Sequence, residues 1–128
     1  MIHNGAKGYM EGVELYRMGQ TNVLGRYPFH WHVLGNDCEG CFFTANSIHQ
    51  SFYRCISIHG THNTTVSENV AYDITGYCYY LEDAIEEDNT VSYNLAAHIN
   101  SPSNIIANPP GGQTIDVIVQ SKDLILPA

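Results

Sequence analysis

Basic charge is what this sequence has least of: 5 lysines and arginines stand against 13 acidic residues, a formal net charge of −8. That balance excludes a general electrostatic grip on nucleic acid or on anionic membranes, so any polyanionic partner must be held locally. Long hydrophobic runs are missing too. No stretch approaches the roughly 20 apolar residues that cross a bilayer, and the segment from Met1 to Gly12 lacks the apolar core of a secretory signal. Neither nucleic acid as a partner nor membrane insertion by this segment is expected. The chain starts at Met1 and stops at Leu126-Pro127-Ala128 without a polar cap, which reads as a piece of a larger protein. Cysteine is scarce as well. Cys38, Cys41, Cys55 and Cys78 are too few for a disulfide-stapled mini-protein, and one Cys-x-x-Cys without a second is thin support for zinc.

What the chain does have is enough apolar material for one core, 44% hydrophobic residues over 128 positions, and a repeat. Phe43-Thr44-Ala45-Asn46, Val66-Ser67-Glu68-Asn69 and Val91-Ser92-Tyr93-Asn94 align, with asparagines 23 and 25 residues apart. A second register has the same period: Cys55-Ile56-Ser57-Ile58-His59 against Cys78-Tyr79-Tyr80-Leu81-Glu82. Both alternate with period two and are rich in β-branched and aromatic residues, so they read as strands, with glycines and asparagines at the corners. Short strands returning at that interval predict an all-β fold, a parallel β-helix (β-solenoid) of about 23–25 residues per coil, present as a partial domain. Each coil then stacks on the last at about 4.8 Å. The asparagines pass side-chain hydrogen bonds from coil to coil while Val66 and Val91 stack inside. Phe29-His30-Trp31-His32 takes the strand position one coil earlier, 27 residues before, the extra length going into a loop over Gly35–Gly40. The coils are expected over residues 1–100. Residues 101–128 read as a Pro/Gly-rich loop and one further strand, Thr114–Val119, continuing into missing chain.

Alternation makes a second prediction. If Phe29, Trp31, Ile56, Ile58, Tyr79 and Leu81 face inward, then His30, His32, Ser57, His59, Tyr80 and Glu82 face outward. His32, His59 and Glu82 would form one column with His30 beside it, and His62 and Asp83 at the adjoining corner. Imidazoles and a carboxylate in that arrangement match the donor set of a divalent metal, zinc or another transition metal, with calcium also open. Without a metal, His32, His59, Glu82 and Asp83 offer general acid and base groups. Arg26 offers a bidentate grip on a sugar carboxylate, or an ordinary surface ion pair. Tyr27 and Tyr80, among several tyrosines, offer faces for sugar rings. Cys55 and Cys78 read as buried thiols or one bridge, and Asn63-Thr64-Thr65 is an N-glycosylation acceptor. Gly25–His32 followed by Glu39 has the look of a cupin metal motif, but Glu39 falls seven residues after His32, too far for that fold.

The stretches Gly12–His32 and Ile48–Leu95 resemble the β-helix region of the family of the cell-migration-inducing hyaluronan-binding protein, the transmembrane cell-surface hyaluronidase and the fibrocystin-like proteins. That family's GRYPxHxH pattern falls on Gly25 to His32, its RCxxxHGT pattern on Arg54 to Thr61 and its LEDxxE pattern on Leu81 to Glu86. Two departures stand out: Gly76-Tyr77-Cys78 replaces a usual GHC, and Glu82-Asp83-Ala84 a usual EDG. The resemblance implies a right-handed parallel β-helix, an extracellular or cell-surface location and, in some members, depolymerisation of hyaluronan. Two readings stay open, a module binding or cleaving a glycan, and a non-catalytic module of a large ectodomain. Expected partners are a glycan or an extracellular protein, and the remaining coils of the parent or another subunit.

Overall fold

The computed structural model describes residues 1–101, so the expected loop and strand after residue 101 lie outside the described residues. These residues are all-β. Eleven short strands follow in order: β1 (Tyr9–Glu11), β2 (Glu14–Tyr16), β3 (Phe29–Gly35), β4 (Phe42–Thr44), β5 (Ser47–Ser51), β6 (Ile56–Thr61), β7 (Thr65–Ser67), β8 (Val70–Thr75), β9 (Tyr79–Leu81), β10 (Thr90–Ser92) and β11 (Leu95–Asn100). They are dealt in rotation to three parallel sheets, ordered β1-β4-β7-β10, β2-β5-β8-β11 and β3-β6-β9.

The repeat read from the sequence sets the register. Phe43 pairs with Val66 and Val66 with Val91, Ile56 pairs with Tyr79, and His30, Trp31 and His32 pair with Ser57, Ile58 and His59. Like residues therefore sit above like, and Leu15, Trp31, Phe43, Ile48, Ile56, Ile58, Val66 and Ile74 build one core. Each such side chain contributes about 2–3 kcal/mol of burial. The stacking ends within the described residues: Leu81 and Val91, expected inside, are 46% and 47% exposed on the last strands. Nothing among the described residues packs beyond them.

Three strands of the first sheet end at a residue with left-handed backbone, Ala45 (φ 54°), Glu68 (φ 59°) and Tyr93 (φ 56°). None is a residue type that favours this region, which costs roughly 1–2 kcal/mol each. The cost is offset because pairing runs through the corner, Ala45 N–H donating to the Ser67 carbonyl and Glu68 N–H to that of Ser92. The asparagine after each corner completes it. Asn69 Oδ1 accepts from the Asn46 backbone N–H (2.9 Å) and side-chain amide (3.1 Å), and Asn94 Oδ1 accepts from the same two groups of Asn69.

Two disulfides fix the edges of the third sheet. Cys55–Cys78 joins the residues just before β6 and β9, and Cys38–Cys41 closes the loop after β3. The Cys-x-x-Cys is thus a bridge and not a metal knuckle.

Candidate functional site

β3, β6 and β9 bring the predicted histidine and carboxylate column together. His32 lies directly across from His59, and Glu82, the residue after β9, donates its backbone N–H to the Ile58 carbonyl at 3.0 Å. The face is not the open surface that strand alternation suggests. His30 is 1% exposed and Ser57 is fully buried, while His32, His59, Tyr80 and Glu82 are half-buried. His30 is covered because Tyr27 folds over it, ring centroids 5.0 Å apart.

The cluster is ordered by hydrogen bonds. The Ser57 hydroxyl donates to Glu82 Oε2 at 2.7 Å. That same oxygen lies 3.7 Å from His30 Nε2 and 3.8 Å from His59 Nδ1. His59 Nε2 meets Asp83 Oδ2 at 2.9 Å, and His30 Nδ1 meets the Gly25 carbonyl at 3.2 Å. A carbonyl only accepts, so His30 Nδ1 carries the hydrogen and Nε2 is the lone-pair nitrogen. Burial pulls the His30 pKa from the ordinary 6.5 down to about 4, outweighing the Gly25 carbonyl and Glu82, so the ring is neutral near pH 7. His30 Nε2 and His59 Nδ1 are buried without a hydrogen-bond partner.

His32 packs edge-on against both neighbouring rings, 5.2 Å from His30 and 4.8 Å from His59. Its nitrogens are not in the group that converges. The atoms that lie mutually within 4.8 Å and could hold a metal belong to His30, His59 and Glu82. His62 stays at the corner, where Nδ1 accepts from the Glu87 backbone N–H.

Three further residues complete the site: Ser57, which alternation placed on this face without a role, and Glu86 and Arg54, to which the sequence assigned none. Ser57 orients Glu82. Glu86 folds the loop after β9: its carboxylate accepts from the backbone N–H groups of Gly60, Asp83 and Ile85. Burial raises its pKa, but these bonds win and hold it below the usual carboxylate value. The turn so fixed is the one that delivers Asp83 to His59. Arg54 is the third, 5% exposed. Its guanidinium carbon sits 4.0 Å from the Tyr80 ring centroid, 4.6 Å from Tyr27, 5.2 Å from Tyr53 and 5.7 Å from Tyr77. Cation–π attraction to four ring faces stands in for an anionic partner, yet Arg54 Nε and Nη1 donate to no acceptor in this cage. For Ser57 the sequence signal was strand alternation; for Arg54 and Glu86 it was only the short patterns Arg54–Thr61 and Leu81–Glu86, which contain them without ranking them.

The remaining candidates lie around this centre. Tyr27 is buried, and burial pushes its phenol up to about 12 against the opposing pull of Arg54. Tyr80 stacks on Tyr77 at 5.3 Å and 9°. Arg26 is exposed, next in sequence to the Gly25 that holds His30. Asn63 is half-buried at a left-handed corner (φ 58°), its amide donating to Asn36 Oδ1 at 2.9 Å.

Comparison with known proteins follows the same lines. The chain is 47% identical to Communication mutant protein F of Dictyostelium discoideum over 91% of its own length and 10% of that protein. It is 43% identical to Protein rliB of the same organism over 95% of its length and 11% of that protein, and 41% identical to Fibrocystin-L of Mus musculus over 77% of its length and 2% of that protein. It thus spans only a small part of these curated relatives. No solved structure matches it. Two disulfides fit a secreted or extracellular domain. The family CEMIP beta-helix matches residues 1–123, and the chain belongs to that family.

Proposed function

We propose that this chain is an extracellular right-handed β-helix module that binds an acidic glycan of the hyaluronan kind across the face of β3, β6 and β9. The observation that carries the reading is the junction of two surfaces on that face. A cluster of imidazoles and carboxylates (His32, His59, Glu82, Asp83) adjoins the stacked, half-buried rings of Tyr77 and Tyr80. Sugars present hydroxyls at their rim and C–H groups on their faces, and this junction offers acceptors and donors for the first and rings for the second. Arg26, exposed and next in sequence to the Gly25 whose carbonyl holds His30, is the cation that meets a sugar carboxylate in an otherwise acidic chain.

A second reading has its own support, cleavage of the bound chain. His59 held by Asp83 at 2.9 Å, with Glu82 beside it, has the parts of an acid and a base.

Both are tested on the intact parent protein by calorimetric titration with size-defined hyaluronan and with a neutral glycan of equal length, beside an assay of chain length. Binding reduced about tenfold or more by Tyr80→Ala and Arg26→Ala supports the module, and equal affinity of wild type and both variants sinks it. Shortening of the glycan by wild type but not His59→Ala would add catalysis.

A further inference from the structure

We propose that His30 Nε2, His59 Nδ1 and a Glu82 carboxylate oxygen form a site for one transition-metal ion of the zinc class, with a coordination position left open to solvent. The reading of glycan binding above does not depend on it, nor it on that reading.

Two buried nitrogens without partners are the first argument. A buried polar atom with no hydrogen bond costs about 1–3 kcal/mol, and here two of them aim at one carboxylate oxygen, at 3.7 and 3.8 Å. Those gaps are too long for hydrogen bonds. They are close to the spacing of metal ligands: three donors each about 2.1 Å from one ion lie about 3.4–3.6 Å apart. The widest separation in the group, 4.8 Å, therefore has to shrink by roughly 1 Å. His59 and Glu82, with side chains 22% and 18% exposed, have room to turn, whereas His30 is fixed by its burial.

The second argument lies behind the ligands. A metal-binding imidazole needs a bare nitrogen toward the ion, and the usual device is an acceptor on the other nitrogen. Both histidines have one: the Gly25 carbonyl on His30 Nδ1 and the Asp83 carboxylate on His59 Nε2. Each thus presents its unpartnered nitrogen in the lone-pair form. Glu82 is oriented differently: the Ser57 hydroxyl donates at 2.7 Å to Oε2, the same oxygen that faces both imidazoles and that keeps a second lone pair for the ion. Two imidazoles and one carboxylate select a borderline ion over calcium or magnesium, which prefer all-oxygen shells. Three protein ligands leave a fourth position, as in sites where zinc binds water or a substrate oxygen.

The test uses the intact protein, stripped with chelator, and cobalt as a spectroscopic stand-in for zinc. Cobalt titration should raise visible absorption that saturates at one ion per chain and is abolished by added zinc. Glu82→Gln and His59→Ala should each weaken cobalt binding by about 100-fold or more, and Asp83→Asn by about 10-fold. His30→Ala is avoided because a buried vacancy there can unfold the protein. Thermal melting of each metal-free variant is compared with metal-free wild type, so that lost folding is not read as lost ligation. A folded wild type that gives no absorption at micromolar cobalt would overturn the site. Cobalt affinity unchanged in both Glu82→Gln and His59→Ala would overturn it equally. Glycan titration of the stripped protein is read separately, so failure of the metal site and failure of glycan binding are distinct results.

Discussion

Two polar columns run up this stack of parallel strands, and they are finished differently. In the asparagine column Asn69 is fully buried, and its backbone N–H, its amide and its carbonyl oxygen all have partners, on Asn94, Phe43 and Asn46. In the histidine column, His30 is as deeply buried, yet its Nε2 has none, nor do His59 Nδ1, the Tyr27 hydroxyl and two nitrogens of Arg54. Burial without satisfaction is costly, so the histidine column, unlike the asparagine column, gives up stability at these atoms. The difference separates a column whose polar groups are used up in joining neighbouring strands from a column that keeps buried polar atoms unpaired.

Removing a rung of the asparagine column should have the largest effect. Asn69→Ala takes the acceptor from the Asn46 backbone N–H and the side-chain amide donor from the Phe43 carbonyl in the interior, and leaves the Asn46 amide only the Met10 carbonyl. We expect a loss of about 3–5 kcal/mol, read as a shift in the denaturant midpoint of the oxidised protein. A loss below about 1 kcal/mol would break the contrast between the columns.

An intermediate effect comes from pH. The His30 pKa is depressed in the folded chain, to about 4 from 6.5. Between those values the unfolded chain binds the extra proton. The stabilising contribution is thus complete above pH 6.5 and is lost as the pH falls towards 4, by roughly 3 kcal/mol at most. Urea midpoints from pH 7 down to pH 4 should fall in wild type and fall less in His30→Asn. Glu86 acts in a lower window, because its carboxyl is held below the ordinary 4.5 and its contribution is present above that value.

The smallest expected effect sharpens the comparison most. Glu82→Gln keeps shape, and Gln retains an oxygen for the Ser57 hydroxyl, so stability should move by less than about 1 kcal/mol while ligand binding on that face collapses. A large loss of stability would make the histidine column another structural ladder.

Much of the fold was legible because contacts between stacked parallel strands are nearly local in register. Strand pairing repeats at one interval, so Asn46, Asn69 and Asn94, read as text, already name each other as neighbours, and Phe29–His32 fall opposite Ile56–His59. The column of His32, His59 and Glu82 was legible for the same reason. The burial of His30 was not: alternation gives a side of the sheet and says nothing of Tyr27 folding back over that side. The ring cage of Arg54 was equally out of reach, since Tyr27, Tyr53, Tyr77 and Tyr80 come from three separate passes of the chain.

By itself, then, the sequence determined the period, the strands and which residues share a column, because parallel stacking at a fixed interval turns spacing into contact. Only the tertiary structure decided that His30 and His59 turn their unpaired nitrogens towards the same Glu82 oxygen. It also joined Cys55 to Cys78 and Cys38 to Cys41, and gave Ala45, Glu68 and Tyr93 left-handed corners that none of them favours alone. Those outcomes depend on rotamers, loop folding and pairing through the corners, which are settled by packing and not by spacing.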